Sequence, residues 1–342
     1  MRNFKCHADT DIALGDCVVL HGPADSGKTS IMQALTQWSI GAKRWHDRHG
    51  DRLVAASRSG VTIARQDLVF VPAPHAKMLW RHLATRSRGR ADTTRVRIEV
   101  SVEGVTDHRL WRCSLEFDYG NSEVLYCRPA TVPGDDRRRT PVPSDAALVD
   151  VVYIPPLCGV IANEVRLSEG AVNVRLGEGR TAELLRNVCH RVLVGDPKMW
   201  EDIAATVEAV FGVRLHEPRY DPSRGEVGLG YQCGRSSLDI SCAGQGLRQA
   251  LFLVASAAAH PGAVLLLDAP DTHLDLARWI DTYGAVRALA TQTGSQIITA
   301  GRSDALVGAA EYYGDTVVTL EAPTTAQAGR FYPAPRAAVH KS

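Results

Sequence analysis

The chain has 342 residues, of which 45% are hydrophobic, and its 39 Lys and Arg nearly balance its 38 Asp and Glu. That length and apolar fraction suffice for one large globular domain or for two joined lobes. The formal net charge of +1 excludes a global field that attracts polyanions, so composition neither implies nor excludes nucleic-acid binding.

The cysteines and the apolar runs indicate in which cellular compartment the protein is expected. The eight cysteines are scattered without a CxxC pair, a pattern that fits a reducing compartment. No apolar run reaches the ~18 residues of a membrane span, and the first residues do not have the pattern of a signal peptide. We therefore expect a cytoplasmic protein that does not contact a membrane.

The first predicted elements surround a glycine-rich loop. The sequence HGPADSGKTS at 21–30 satisfies the phosphate-loop pattern GxxxxGK[ST]. The apolar run 17–20 before it predicts a buried strand, and SIMQALTQW after it predicts an amphipathic helix. Strand, glycine loop and helix form the context that this motif requires. We expect the phosphates to contact the loop residues Gly22, Pro23, Ala24, Asp25, Ser26, Gly27, Lys28, Thr29 and Ser30.

The loop residues predict a magnesium-bound nucleotide as the ligand. Glycines let backbone N–H groups close around the β-phosphate at a helix N-terminus. Lys28 is expected to bridge the β- and γ-phosphates, and the hydroxyl of Thr29 to ligate Mg²⁺. The predicted cofactors are therefore ATP and Mg²⁺.

The middle of the chain changes pattern three times. Residues 96–127 alternate with period two between turns, which predicts an antiparallel meander. Residues 130–145 are rich in Pro, Asp and Arg and predict an exposed loop, after which a strand resumes at 148. Segments 181–193 and 199–212 have apolar residues at helical spacing. We expect a helical insertion from about 159 to 239, with no heptad run.

The second motif lies near the C-terminal end. The apolar run VLLLD at 264–268 ends in Asp268, as a Walker B strand does, and Asp268 would hold the magnesium directly or through water. Before it, SCAGQ at 241–245 leads into an Ala- and Leu-rich helix. After it, we expect a helix at 276–291 and a buried strand in SQIITAG.

This order of motifs resembles the ABC-type ATPases of the SMC and RecF kind. It is more closely similar to small bacterial "AAA family ATPases" related to the nucleotide domain of OLD-type proteins, many of which accompany DNA repair or antiviral defence genes. The resemblance covers about 11–319. It implies an α/β P-loop NTPase fold, an ABC-type ATPase head with a mixed central sheet, an antiparallel β lobe and a helical insertion.

The resemblance also implies a division of the chain and a dimer. The nucleotide-binding lobe would span 1–150, the insertion lobe 151–240, the signature and Walker B half 241–325, and a tail 326–342. In such families two ATP molecules are sandwiched in a head-to-tail dimer, and the signature turn of one subunit contacts the γ-phosphate on the other. Here that turn would be Ser241, Cys242, Gly244 and Gln245, with cysteine where serine is usual and Ser241 as its substitute.

Two positions depart from the family pattern. Ala269 stands where a glutamate usually polarises the attacking water, and Arg302 stands where a histidine usually senses the γ-phosphate. A methyl group cannot accept a proton, and loss of a positioned base costs about 10²- to 10⁴-fold in rate. We expect slow hydrolysis, with Asp271 as the candidate displaced base. Two departures favour natural divergence, or an engineered Ala269 on an already divergent chain, over a single engineered change at 269.

Other segments have weaker functional interpretations. A basic stretch, which could follow a phosphate backbone, is more simply a solvated loop; it contains Trp80, Arg81, Arg86, Arg88, Arg90 and Arg95. Arg137, Arg138 and Arg139 follow Asp135 and Asp136, so their charge is balanced and we assign them no role. IPPLCG at 154–159 lacks the glutamine that is usual there, and it is either a stiff coupling segment or a plain turn.

Three hypotheses follow. The leading one is an ATP-dependent dimerisation switch, in which a homodimer or a heterodimer with a paralogue recruits or restrains a nuclease-like effector, with nucleic acid as a further partner. The second is an active ATPase motor on DNA, in which another residue replaces the missing glutamate. The third is a scaffold subunit whose bound nucleotide is structural.

Overall fold

The computed structural model describes residues 1–50, 59–88 and 93–321. The expected tail at 326–342 and Arg90 of the basic stretch lie outside these residues. In the described part of the chain, no helix combines the length and apolarity needed to cross a bilayer.

Twenty-one strands occur in the described residues. They are β1 (Arg2–Phe4), β2 (His7–Asp9), β3 (Cys17–His21), β4 (Val61–Ala64), β5 (Arg86–Arg88), β6 (Thr93–Arg95), β7 (Ile98–Thr106), β8 (Arg109–Tyr119), β9 (Val124–Pro129), β10 (Thr131–Val132), β11 (Asp135–Arg139), β12 (Val151–Ile154), β13 (Glu164–Val165), β14 (Arg214–Leu215), β15 (Arg219–Asp221), β16 (Glu226–Gly228), β17 (Gly230–Cys233), β18 (Ser236–Asp239), β19 (Val264–Asp268), β20 (Gln296–Gly301) and β21 (Thr316–Thr319).

Eight α-helices occur in the same residues: α1 (Lys28–His49), α2 (Ser144–Leu148), α3 (Glu169–Gly177), α4 (Leu185–Gly195), α5 (Pro197–Phe211), α6 (Gln245–Ala258), α7 (Leu276–Thr293) and α8 (Asp304–Tyr313). Side chains define several of their ends. Asp275 caps α7 by accepting from the backbone N–H of Arg278 at 3.0 Å, and Gly294 ends that helix in the left-handed conformation. Such caps satisfy backbone groups that a helix end leaves unpaired.

The central sheet has the order β12-β19-β20-β3-β21, and all four strand pairs are parallel. The three inner strands β19, β20 and β3 are buried on both faces, which explains their continuous apolar runs. The phosphate loop follows β3, and Asp268 ends β19. Because ligands of open parallel sheets bind at the carboxyl ends of the strands, this arrangement places both motifs at one edge.

The antiparallel strands form a second sheet, with the order β2-β1-β7-β8-β9-β4. The segment expected as a meander is β7, β8 and β9, and the face of β8 that contains Leu115 and Phe117 is buried in the same apolar cluster as Trp38 of α1. The central sheet differs from the expected mixed sheet, because all of its strand pairs are parallel. Helix α1 contacts both the five-stranded parallel sheet and the six-stranded antiparallel sheet.

The segment 130–145 is not the loop expected from its composition. It contains the β10–β11 hairpin and the first two residues of α2, and Arg139 is only 4% exposed. Its guanidinium donates to the carbonyl of Pro129 at 2.6 Å and pairs with Glu116 at 3.5 Å. Arg139 therefore has a structural role that we did not assign to it. It pairs with the half-buried Glu116 of β8, whereas the sequence shows only the acidic residues next to it in the chain.

The insertion is less helical than expected. Helices α3, α4 and α5 are accompanied by two three-stranded sheets, β13-β16-β15 and β14-β17-β18. The predicted helix at 181–193 is a 3₁₀ turn, Thr181–Glu183, followed by α4. The expected boundary at 150 falls just before β12, so the first strand of the expected insertion lobe belongs to the central sheet.

Candidate functional site

The phosphate loop connects β3 to α1 through backbone that glycine permits. Gly27 precedes α1 with φ 95°, and a Cβ there would lie 2.5 Å from Nε2 of His7. A Cβ on Gly22 would lie 2.4 Å from the carbonyl oxygen of Leu320. Both contacts are too close for any side chain, so the motif glycines are required by packing as well as by ligand chemistry.

His7 contacts the backbone of the phosphate loop, a contact that the sequence analysis did not predict. Its Nε2 lies 3.1 Å from the carbonyl oxygen of Gly27, and its Nδ1 lies 3.0 Å from the hydroxyl of Thr10. Burial lowers the pKa of His7, so the ring is neutral near pH 7. A neutral ring with Nε2–H donates to Gly27 and accepts from Thr10.

The side chain of Lys28 folds back onto the phosphate loop. Its ammonium donates to the carbonyl oxygens of Gly22 at 2.7 Å and Pro23 at 2.6 Å, and to the hydroxyl of Ser26 at 3.2 Å. Burial lowers the pKa of Lys28, and the positive charge of Arg302 lowers it further, while Asp268 opposes the shift. The loop therefore holds a cation beside the backbone that would receive phosphates.

The two residues predicted to bind magnesium, Thr29 and Asp268, are in contact. The hydroxyl of Thr29 donates to Oδ2 of Asp268 at 3.2 Å. The same oxygen accepts from the hydroxyl of Tyr153 on β12 at 2.7 Å. Burial raises the pKa of Tyr153, and the charge of Asp268 raises it further, so the phenol stays protonated and acts as the donor.

These residues fit a magnesium nucleotide. One hydroxyl and one carboxylate meet at the N-terminus of α1, where phosphate oxygens and water supply the other ligands that Mg²⁺ needs. Across residues 1–50, 59–88 and 93–321, no three His, Cys, Asp or Glu side chains converge into a metal-holding group. The donor set therefore suits an ion that arrives with its nucleotide.

Ala269 begins the turn after Asp268 with φ 44°. Its N–H donates to the carbonyl oxygen of Ala300 at 2.7 Å, and its carbonyl accepts from the hydroxyl of Thr272 at 2.6 Å. The backbone of the turn is thus held by two hydrogen bonds, and a methyl group occupies the position where the family resemblance led us to look for a base. Asp271, the candidate substitute, accepts a hydrogen bond from the hydroxyl of Ser303.

Arg302 lies beside the phosphate loop by strand register. Gly301 pairs with His21 across β20 and β3, and the ring of His21 lies 3.3 Å from the carbonyl oxygen of Arg302. The positive charge of Arg302 also lowers the pKa of Lys28. Arg302 is exposed and permanently charged, so it can attract phosphate but cannot exchange a proton.

The expected signature turn is on the surface, apart from the phosphate loop. Asp239 caps it through the N–H of Ser241 at 2.8 Å, and Cys242, Gly244 and Gln245 are exposed. Among the residues that the structure describes, no hydrogen bond joins this turn to the phosphate loop. A Cβ on Gly246 would lie 2.8 Å from the carbonyl oxygen of His273, so the turn packs beside the segment that follows β19.

Gln249 of α6 connects two segments that approach the site. Its side chain is fully buried. The amide oxygen accepts from the N–H of Leu157 at 2.9 Å, and the amide nitrogen donates to the carbonyl oxygen of Pro270 at 3.1 Å. The helix after the signature turn is thereby bonded to the IPPLCG segment and to the turn after Asp268.

The structure brings together the phosphate loop, Asp268, Ala269 and Arg302, and it places the signature residues elsewhere on the same chain. Sequence reasoning missed Tyr153, His7 and Gln249. A signal for Tyr153 existed, because it is the polar residue near the carboxyl end of an apolar strand. The other two contact backbone atoms of distant segments, and no sequence pattern marks such partners.

Comparison with known proteins found no matching protein-family model and no matching curated protein. Among solved structures, the chain is similar to an SMC head bound to the C-winged helix domain of ScpA, with 15% identity over 90% of this chain and 89% of that chain and a TM-score of 0.45. It is also similar to the SMC head domain from Thermotoga maritima, with 14% identity over 90% and 89% of the chains and a TM-score of 0.44. The Smc head domain with an extended coiled coil derived from Pyrococcus furiosus, bound to the C-terminal domain of ScpA, has 13% identity over 90% and 89% and a TM-score of 0.40. All three similarities are remote, and they do not assign the chain to a family.

Proposed function

We propose that this chain is an ABC-type ATP-binding protein that acts as an ATP-dependent dimerisation switch. The contact between Thr29 and Asp268, at 3.2 Å across the end of the parallel sheet, is the observation that carries the proposal. It joins the phosphate loop to the Walker B strand as Mg²⁺ binding requires. When bound, the metal would neutralise phosphate charge, and the residues of the chain would hold it in place.

The same site supports binding more than turnover. Lys28 and Arg302 supply positive charge near the phosphates, and Thr29 and Asp268 suit the metal. Ala269 offers no group that orients or deprotonates water, and Asp271 already accepts from Ser303. Binding of ATP is therefore the event that the protein reports, and slow hydrolysis ends the bound state.

The signature turn supports a head-to-tail arrangement. It is exposed, and α6 begins at Gln245 without a side-chain cap, so its first N–H groups are available to an anion on a second subunit. That subunit is a copy of this chain or a paralogue. The closed dimer then recruits or restrains an effector such as a nuclease in antiviral defence or DNA repair.

Light scattering of the purified chain tests this proposal. We expect the mass to rise from that of a 37.1 kDa monomer to twice that value with ATP and Mg²⁺, and to stay monomeric with ATP and EDTA. Lys28→Ala should remain monomeric with Mg²⁺. Lys43→Ala is the matched control, because Lys43 lies on the same helix but pairs with Asp150, and it should dimerise normally.

Each alternative has its own result. A mass that ATP does not change in the wild-type chain contradicts the homodimer, and a paralogue that restores dimerisation identifies the heterodimer. Nucleotide that survives purification and never exchanges indicates the scaffold. Steady phosphate release of order 1 s⁻¹ indicates the motor.

A further inference from the structure

We propose that Tyr153 is a positioning residue for the magnesium ligand Asp268. This inference rests on the proposed function, since it concerns the metal that accompanies ATP. Tyr153 lies on β12, which pairs with β19 so that Tyr153 is opposite Leu266. Its hydroxyl donates to Oδ2 of Asp268 at 2.7 Å, and Thr29 donates to the same oxygen at 3.2 Å.

Two donors on one oxygen fix the carboxylate. With Oδ2 held from both sides, rotation about the last side-chain bond of Asp268 is restricted, and Oδ1 is left for the metal or its water. Hydrogen bonds to ligating carboxylates commonly orient them in this way. Tyr153 is therefore placed to keep Asp268 oriented when the hydroxyl of Thr29 turns toward a metal.

A phenol suits this task because it is neutral. A lysine or arginine at position 153 would pair with Asp268 and cancel the charge that attracts Mg²⁺. A phenol fixes the direction of the carboxylate and leaves its charge in place. The donor is also permanent, since the phenol stays protonated throughout the neutral range.

The ring of Tyr153 is itself held in position. Phe70 packs against it with ring centroids 5.5 Å apart and planes tilted by 58°. The carbonyl oxygen of Phe70 accepts from the amide of Gln33 at 3.0 Å, and Gln33 is a buried residue of α1, which begins at Lys28. The phenol thus packs against Phe70, and the backbone of Phe70 is bonded to the helix that follows the phosphate loop.

The residues that follow Tyr153 indicate how β12 contributes to the site. It is followed by Ile154, Pro155 and Pro156, and this segment has no glutamine or carboxylate to offer a metal. The tyrosine is the polar side chain through which β12 reaches the site. We infer that this strand contributes to magnesium binding through Asp268 and not through a ligand of its own.

The test is the magnesium dependence of binding of a methylanthraniloyl-ATP probe. We expect Tyr153→Phe to need about tenfold more Mg²⁺ for half-maximal binding. Its affinity for the probe in EDTA should equal that of the wild type, because the phosphate loop is unchanged. Tyr283→Phe is the matched control: its hydroxyl donates to Asp315 at 2.7 Å before β21, at the opposite end of the sheet. It should leave the magnesium midpoint unchanged.

Three outcomes overturn the inference. One is an unchanged magnesium midpoint in Tyr153→Phe. Another is an equal loss of probe affinity with Mg²⁺ and with EDTA, which would show that the hydroxyl only supports the fold. The third is a wild-type chain with no magnesium-dependent binding, which would also overturn the proposed function. If the wild-type chain binds Mg²⁺ and ATP but stays monomeric, the switch fails while the effect of Tyr153 can still be measured.

Discussion

The hydroxyl of Thr29 lies 3.2 Å from Oδ2 of Asp268, although 239 positions separate the two residues in the chain. Parallel pairing of β19 with β20, and of β20 with β3, brings them to one edge of the central sheet. This contact defines the site, and residues in and beyond it lead to four predictions.

Restoring a base at position 269 should restore hydrolysis. We expect Ala269→Glu to raise the rate of phosphate release by at least about 100-fold. Ala269 already has a Cβ at φ 44°, so glutamate adds no new backbone strain. Ala269→Gln has the same size but cannot accept a proton, and it should stay slow. Equal rates for the Glu and Gln variants would show that the missing base does not limit turnover.

Asp25 places a negative charge on the phosphate loop, and its removal should strengthen ATP binding. The residue is exposed at φ 62°, a conformation that asparagine tolerates. We expect Asp25→Asn to raise ATP affinity by up to about fivefold at low salt, with a smaller effect at high salt. Asp16→Asn, at the other end of β3, is the control. Titration with the fluorescent probe measures both, and an affinity that falls in Asp25→Asn would contradict the expected repulsion.

The side chain of Gln249 should contribute strongly to stability. Gln249→Leu leaves the N–H of Leu157 and the carbonyl of Pro270 without their partner in a buried position. We expect the free energy of unfolding to fall by about 3 kcal/mol, measured in urea. Gln232→Leu removes a surface bond to Gly234 and should change it by less than about 0.5 kcal/mol. Similar losses in both variants would be evidence against a special role for Gln249.

Stability should decrease in mild acid because His260 is buried and neutral. Burial lowers its pKa below the ordinary 6.5, Arg191 adds to this, and the Ser256 carbonyl, Asp150 and Glu169 oppose it. Below pH 6.5 the unfolded chain therefore binds a proton that the folded chain resists, so stability present above that pH is lost as pH falls. Within the part of the chain that the structure describes, Nε2 has no acceptor for the added proton.

The variant His260→Asn tests the origin of this acid sensitivity. Asparagine does not titrate, and its amide can still donate to Ser256. We expect urea unfolding midpoints at pH 7.5 and 5.5 to differ less in this variant than in the wild type. His108→Asn, at an exposed turn, should behave as the wild type. An equal acid loss in all three proteins would assign the effect to other groups.

The sequence predicted the elements that have strong local patterns. The phosphate loop, the strand before it, the Walker B strand ending in Asp268 and the helix beginning at Leu276 lie within a few residues of the predicted places. Each has an apolar period or a glycine pattern that local backbone geometry imposes.

Features that depend on contacts between distant residues could not be predicted from the sequence. Arg139 follows acidic neighbours in a polar segment. In the structure it is buried, and its guanidinium pairs with Glu116 and donates to the carbonyl oxygen of Pro129. The hydroxyl of Tyr153 meets Asp268 only because β12 is placed next to β19. The purely parallel pairing of the central sheet also depends on which distant strands become neighbours, which no single segment encodes.

Binding and turnover of ATP, measured on one sample with Mg²⁺, test the central claim most directly. We predict magnesium-dependent binding of one ATP per chain, together with phosphate release slower than about 0.1 s⁻¹. The absence of magnesium-dependent binding, or release of order 1 s⁻¹ or faster, would contradict a protein that reports the binding of ATP and not its hydrolysis.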